Sequence, residues 1–307
     1  MRCTRNWKVS DALQEVEHLH RLRHFHIVQL VGSYLQGRTF SILLYPAADC
    51  HLGTFLEETG NVFTLDDDNL RRKIFLASTL SCLASTVAFI HSNTTRHMDI
   101  KPANVLIKAV KNSHPERHWR VYLADFGLSR SFAAQDHSQT DGPTARTPKY
   151  CAPEVYEGKL HGRSADIFSL GCVFLEILSV LYGNSPCDFA DFRRGENGSD
   201  ESFRGNLDRI SEWIDILISS PIGHQETLTK SLVWGDKGIY PVLPPGLLDI
   251  VRQMLRHDPN ERPTALFIQE FFELGGYYCE NLFANSGCCL SGPEPYVASY
   301  LTSKEDM

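Results

Sequence analysis

Apolar positions along the chain change their period several times, and each change predicts an element. After Ser10, which can cap a helix, Leu13, Val16 and Leu19 share one helical face, and the pattern closes around Arg21–His24. Two β-rich runs follow, IVQLVGSYL (27–35) and TFSILLYP (39–46), joined by Gln36, Gly37 and Arg38; this spacing predicts a hairpin. From LGTFLEE (52–58) the pattern turns helical. Leu76, Leu80, Leu83, Val87 and Ile90 recur at spacings of four and three, a continuous stripe on one long helix that ends near His91.

Beyond that helix lie two short apolar runs, NVLI (104–107) and VYLA (121–124), separated by a polar loop. Residues 128–150 are rich in Ser, Thr, Gln, Asp and Gly with little periodicity, and read as a mobile surface segment. Positions 166–182 are apolar nearly all round, as expected of a helix at the centre of a helical lobe. RRGENGSDESFRGN (193–206) reads as a polar insertion. Pro244 and Pro245 precede an amphipathic helix carrying Leu247, Val251, Met254 and Leu255, and HDPNERPT (257–264) separates it from ALFIQEFFEL. The tail from Gly275 is loop-like. The expected fold is α+β: a small segment of one helix and a hairpin (1–46), a mainly α-helical unit (47–274) and a tail (275–307), with the junction between Pro46 and His51.

Composition narrows the function. Lys plus Arg number 30 against 37 for Asp plus Glu, a net charge of -7 that disfavours general electrostatic binding to nucleic acid or to an anionic membrane. Nine scattered cysteines without a CxxC pair argue against a disulfide framework and against zinc, and place the chain in the cytoplasm or nucleus. Cys288 and Cys289 read as inert tail residues. No secretory leader is expected at the start. IFSLGCVFLEILSVLYG (167–183), the most apolar stretch, is interrupted by Ser169, Gly171, Glu176 and Ser179 and is short for a bilayer span of about 20 residues, so it reads as a buried helix.

The chemistry concentrates in RHMDIKPANVLI (96–107). Four residues separate Asp99 from Asn104, which suits a carboxylate able to receive a hydroxyl proton and an amide oxygen able to ligate magnesium. Lys101 adds a point charge near any transferred phosphate. Twenty-one residues after Asn104 stands DFG, Asp125–Gly127, a second hard oxygen ligand at the end of a strand. DFG alone is a weak signal; with DIKPAN it is a strong one.

These motifs, followed by TPKYCAPE (147–154), SADIFSLGC (164–172) and HDPNERPTA (257–265), resemble those of eukaryotic protein kinases over roughly residues 9–274. The resemblance implies a bilobal fold and transfer of the γ-phosphoryl of ATP, with Mg2+, to protein hydroxyls. It implies Asp99 as base, Asn104 and Asp125 as magnesium ligands, and Thr147 as a bridge to the substrate-binding loop. Lys101 in this loop implies the Ser/Thr type. Leu44, Tyr45 and Pro46 would form the hinge that meets adenine, Leu43 would guard the pocket behind it, and Leu106 would support the ring from below. Glu15 aligns with the helix carboxylate that pairs with a strand lysine, although taken alone it reads as a solvated helix residue. Glu154 and Arg262 would form a buried ion pair, and Asp166 would brace the catalytic loop. His97, with Phe126, Leu19 and Leu30, reads as packing.

Two departures from the family pattern shape the expected activity. Met98 replaces the arginine beside the base, so phosphate at Thr140 or Thr144 should matter less, because a thioether cannot pair with it. A glycine-rich loop and a strand lysine about fifteen residues before Glu15 would fall off the beginning of the chain, and Lys8, seven residues away, is a poor substitute. The expectation is a Ser/Thr kinase-family member with a reduced small lobe that binds Mg-ATP weakly; the alternative is a pseudokinase or truncated kinase domain acting as a protein-binding module.

Overall fold

The structure is a computed structural model that describes residues 22–37, 39–61, 67–110, 119–126, 130–131, 148–159, 162–195, 198, 200–220, 243–244 and 246–275. The helix expected after Ser10, most of the 128–150 segment and the tail lie outside the described residues.

Strands β1 (Gln29–Gln36) and β2 (Thr39–Tyr45) form the expected antiparallel hairpin, turning at Gly37, whose φ of 60° is one a glycine adopts without steric cost. The β-rich run that begins at Ile27 does not belong wholly to this hairpin. Ile27 pairs in parallel with Leu123, Val28 N–H donates to Leu123 O at 3.1 Å, and Leu123 N–H donates to His26 O at 2.7 Å. Burial explains the split: Ile27 and Val28 are fully buried, whereas the hairpin that follows is half exposed.

A second sheet has the order β3 (Cys50–His51), β5 (Val105–Ala109), β6 (Trp119–Leu123), and β4 (Thr95–Arg96) pairs separately with β7 (Arg130–Ser131). Around them pack α1 (Leu52–Gly60), α2 (Asp67–Ser92), α3 (Pro153–Tyr156), α4 (Arg163–Leu181), α5 (Pro186–Arg194), α6 (Leu207–Ser219), α7 (Leu247–Met254) and α8 (Ala265–Gly275). The stripe from Leu76 to Ile90 is wholly buried on α2, which lies against α8 and α4. α4 is buried on nearly every side by α1, α2, α5 and α7. Both α2 and α4 are long and apolar enough to cross a membrane by length and composition, but 72% and 83% of their apolar windows are buried inside the protein, as in core helices.

Polar groups lock this core at one point. Glu154 on α3 accepts from both terminal nitrogens of Arg262, at 2.7 and 2.9 Å, and Arg262 also donates to the carbonyls of Ser164, Arg256 and His257. Both side chains are buried, so the bidentate pair and its carbonyl acceptors satisfy charges that water does not reach.

Candidate active site

The loop 96–104 leaves the end of α2 and is shaped by a carboxylate from the first turn of α4. Asp166 is fully buried. It accepts from the backbone N–H of His97 at 2.9 Å, from the backbone N–H of Met98 at 2.8 Å and from His91 Nε2 at 2.9 Å. Burial alone would raise its pKa, but the hydrogen bond and charge of His91, with His97 and the Met98 amide, outweigh burial and keep the carboxyl below its ordinary range. A position in the first turn of α4 adds the favourable end of the helix dipole. The bracing duty expected of Asp166 is therefore visible atom by atom. Met98 takes a left-handed φ of 69°, which is costly for a side chain with a β-carbon, and its bond to Asp166 offsets that strain. Its half-buried side chain packs on the core.

His97 is buried against Phe126, with ring centroids 4.7 Å apart. Its Nε2 faces Ala124 O at 3.0 Å and must donate, which leaves Nδ1 to accept from the Asp99 N–H at 3.3 Å. Burial lowers the pKa of this ring despite the nearby Asp166, Asp99 and Asp125 carboxylates, so the neutral tautomer that these two bonds need is favoured. His97 thus couples the base loop to the strand end that carries Asp125.

Of the three oxygen-bearing residues, Asp99 and Asn104 meet through their side chains, and Asp125 lies next to them along the backbone. Asn104 Nδ2 donates to Asp99 Oδ2 at 3.0 Å and to Asp99 O at 2.8 Å, and Lys101 Nζ lies 2.5 Å from Asp99 Oδ2. The Ala124 N–H donates to Asn104 O at 2.9 Å, which sets Asp125 beside Asn104. Asp125 is exposed and takes a left-handed φ of 64°, a strained backbone turn just beyond the end of β6. With Nδ2 committed to Asp99, Asn104 has Oδ1 left to meet a cation. One amide oxygen and one carboxylate suit Mg2+, which takes few protein ligands and completes its shell with phosphate and water. No cluster of three His, Cys, Asp or Glu able to hold a metal occurs among the described residues.

The residues expected to meet the nucleotide stand on β2, just after it, and on β5. Leu43, Leu44 and Tyr45 end β2, and a cis Tyr45–Pro46 bond leads to Asp49, whose N–H donates to Ile107 O at 2.9 Å. β3 follows, and His51 stands opposite Leu106, which packs on Val28, Tyr122 and Ala124. Leu106 thus lies on β5 opposite His51, and the 44–46 stretch leads by a short link into β3. Glu15 and Thr147, and Gly127 of the DFG, lie outside the described residues.

A protein kinase domain family model matches residues 2–272. The chain belongs to the protein kinase family. It is 30% identical over 269 residues to the cell division control protein 2 homolog 3 of Trypanosoma brucei brucei, covering 83% of this chain and 75% of that protein. It is 26% identical over 284 residues to the cyclin-dependent kinase-like 2 of Oryctolagus cuniculus, covering 87% of this chain but only 43% of that longer protein. The kinase domain and these relatives place it with the Ser/Thr protein kinases, and a kinase domain implies ATP as co-substrate, generally with Mg2+, and proteins as substrates.

The kinase also has site-adjacent contacts that its motifs did not announce. Tyr150 OH lies 3.1 Å from both oxygens of Glu176, and Lys149 Nζ pairs with the same carboxylate at 3.0 Å. Burial, then the Glu176 charge, pushes the Tyr150 phenol well above its ordinary value, so it stays protonated as a donor. Glu176 interrupting an otherwise apolar helix was the available signal, since a charge on a buried face needs a partner.

Proposed function

We propose that this protein transfers the γ-phosphoryl of ATP to serine or threonine hydroxyls of other proteins, with Asp99 as the base. The observation that supports the reading is the Asp99–Asn104 contact, with Nδ2 of Asn104 on the Asp99 carboxylate and carbonyl, beside the backbone bond from Ala124 N–H to Asn104 O that holds Asp125 next to them. Bound ATP and Mg2+ would supply the phosphoryl group and the charge that neutralises it. Asp99, held by Asn104 and Lys101, accepts the hydroxyl proton of the acceptor. Lys101 keeps a positive charge beside the base, where an anionic group would arrive. Asn104 and Asp125 hold the metal, Leu44–Pro46 and Leu106 line the adenine side, and Leu43 stands behind it. Thr147 and Glu15 keep the roles that the family pattern gives them.

The test is phosphate incorporation into a Ser/Thr protein acceptor by the purified chain, alongside its melting temperature with and without Mg-ATP. Incorporation abolished by Asp99→Asn, a loss of at least about a hundredfold, supports the reading. A Mg-ATP melting shift that depends on Asp125 but comes with no incorporation assigns a nucleotide-binding module instead.

A further inference from the structure

The sequence presents 193–206 as a polar insertion, but its second half is folded tightly against the main chain next to the catalytic loop. Asp200 caps the turn, accepting from Ser202 N–H at 2.8 Å and from Ser202 Oγ at 2.9 Å. Gly205 N–H donates to Ser202 Oγ at 3.2 Å, and Asn206 Nδ2 donates to the carbonyls of Asp200 and Ser202 at 2.9 and 2.8 Å. Phe203 is fully buried, stacked on Tyr150 at 5.7 Å and edge-on to Phe189. Arg193, from the end of α5, inserts its guanidinium over the Phe189 and Phe203 rings at 4.7 and 4.3 Å and donates to Glu201 O at 3.0 Å. Such order exceeds what a solvated insertion needs.

The turn ends on its target. Three consecutive carbonyls of the stretch 148–150 are each engaged by a different donor: Pro148 O by Arg204 Nη1 at 2.7 Å, Lys149 O by Phe203 N–H at 3.0 Å, and Tyr150 O by Ser169 Oγ at 2.9 Å. Arg204 also lies 3.5 Å over the Tyr156 ring on α3. The next residues, Cys151 and Ala152, line a small cavity together with Met98, Asp99 and Ile100. The stretch is irregular in structure, so its conformation depends on these outside donors rather than on a ladder of its own.

We propose that the turn 200–206 is a positioning clamp for the protein acceptor, with Phe203 and Arg204 fixing the main chain of 148–150 and thereby the place of the acceptor hydroxyl relative to Asp99. This rests on the kinase reading above. Neither residue touches the reacting atoms; both act through the stretch they hold. Loss of the Arg204 bond to Pro148 O loosens the acceptor platform but leaves the nucleotide wall, built from β2, β3 and β5, untouched.

The experiment compares the unmodified chain with Arg204→Ala and Arg204→Lys, reading KM for a Ser/Thr peptide acceptor, KM for ATP and amide hydrogen exchange over Lys149–Ala152. The partly exposed Arg204 is replaceable without loss of folding, which the melting temperature checks, and lysine restores a donor and a cation over Tyr156. Arg204→Ala should raise the acceptor KM about tenfold at unchanged ATP KM and speed exchange at 149–152, while Arg204→Lys stays within about threefold of the unmodified chain. Unchanged exchange overturns the clamp, as does faster exchange with an unchanged acceptor KM or an equal rise in both KM values. If the unmodified chain transfers no phosphoryl group, the proposed function fails, and the exchange pattern of the two variants still decides whether the clamp exists.

Discussion

Phe168, Phe174 and Leu178 of α4 are enclosed on all sides, whereas Leu43 and Leu44 of β2 are 49% and 42% exposed, although both segments are strongly apolar. The difference lies in partners. α4 has four helices around it and, in Asp166, a buried carboxylate tied to the catalytic loop. Among the described residues the β1–β2 pair forms a two-stranded sheet, joined to β6 through Ile27 and Val28 and packed on the core by Leu30. An isolated hairpin is marginal in water, while a helix buried all round is fixed by everything it touches. Asp99 and Asn104 therefore sit on a loop tied to the buried core, whereas Leu43 and Leu44 stand on strands that are half exposed among the described residues.

The largest expected effect breaks the buried side. Arg262→Ala leaves Glu154 buried without its bidentate partner and three carbonyls without their donor, and should cost about 4 kcal/mol of global stability. Urea denaturation followed by far-UV circular dichroism measures it. A loss below about 1 kcal/mol would mean that α3 and the 257–262 turn are not part of the cooperative core.

Acid sharpens the contrast, because the buried titratable groups stand on one side of it. His97 has a folded-state pKa below its ordinary 6.5, so the unfolded chain takes up its proton first. Stability is then complete above about pH 6.5 and falls as pH drops below that value, by at most about 1.4 kcal/mol per unit for this one proton. Asp166, also depressed, adds a second loss only below its ordinary 3.8. The β1–β2 segment contains no Asp, Glu, His or Lys. Hydrogen exchange at pH 5 against pH 7.5, corrected for intrinsic rates, should show weakened protection in 97–104 and α4. In His97→Gln, the part of this slope between pH 6.5 and 4 should vanish.

How much of this was readable in the sequence depends on whether the responsible contacts are local. The stripe from Leu76 to Ile90 and the uniformly apolar 166–182 gave their helices directly, because burial leaves a periodic trace. Asp99, Asn104 and Asp125 stand out by spacing, since a metal and a proton constrain residue type as well as distance. Ile27 and Val28 were assigned to the hairpin because a β-rich run does not show where its partner changes; their partner, β6, is almost a hundred residues away. The 200–206 turn was missed for the opposite reason. Asp200, Ser202, Gly205 and Asn206 satisfy one another locally and so resemble a solvated loop, which conceals the burial of Phe203. α5 left a usable sign, the Ser185–Asp188 capping box.

The smallest expected effect probes the hairpin itself. Leu43 pairs with Gly32 in the β1–β2 register, so Leu43→Ser removes apolar surface that is half in water and has no side chain directly opposite. Its cost to global stability should be about 0.5 kcal/mol or less, against several for a buried leucine. The same change in the buried core, Leu178→Ser, provides the contrast, since Leu178 is fully enclosed in α4. If the two substitutions cost alike in urea denaturation, the hairpin belongs to the same cooperative unit as the helical core and the contrast drawn between it and α4 is wrong. If Leu43→Ser leaves the global midpoint in place but weakens Mg-ATP binding, the hairpin wall is the one that meets the nucleotide, with Leu43 contributing behind the adenine pocket rather than to the fold.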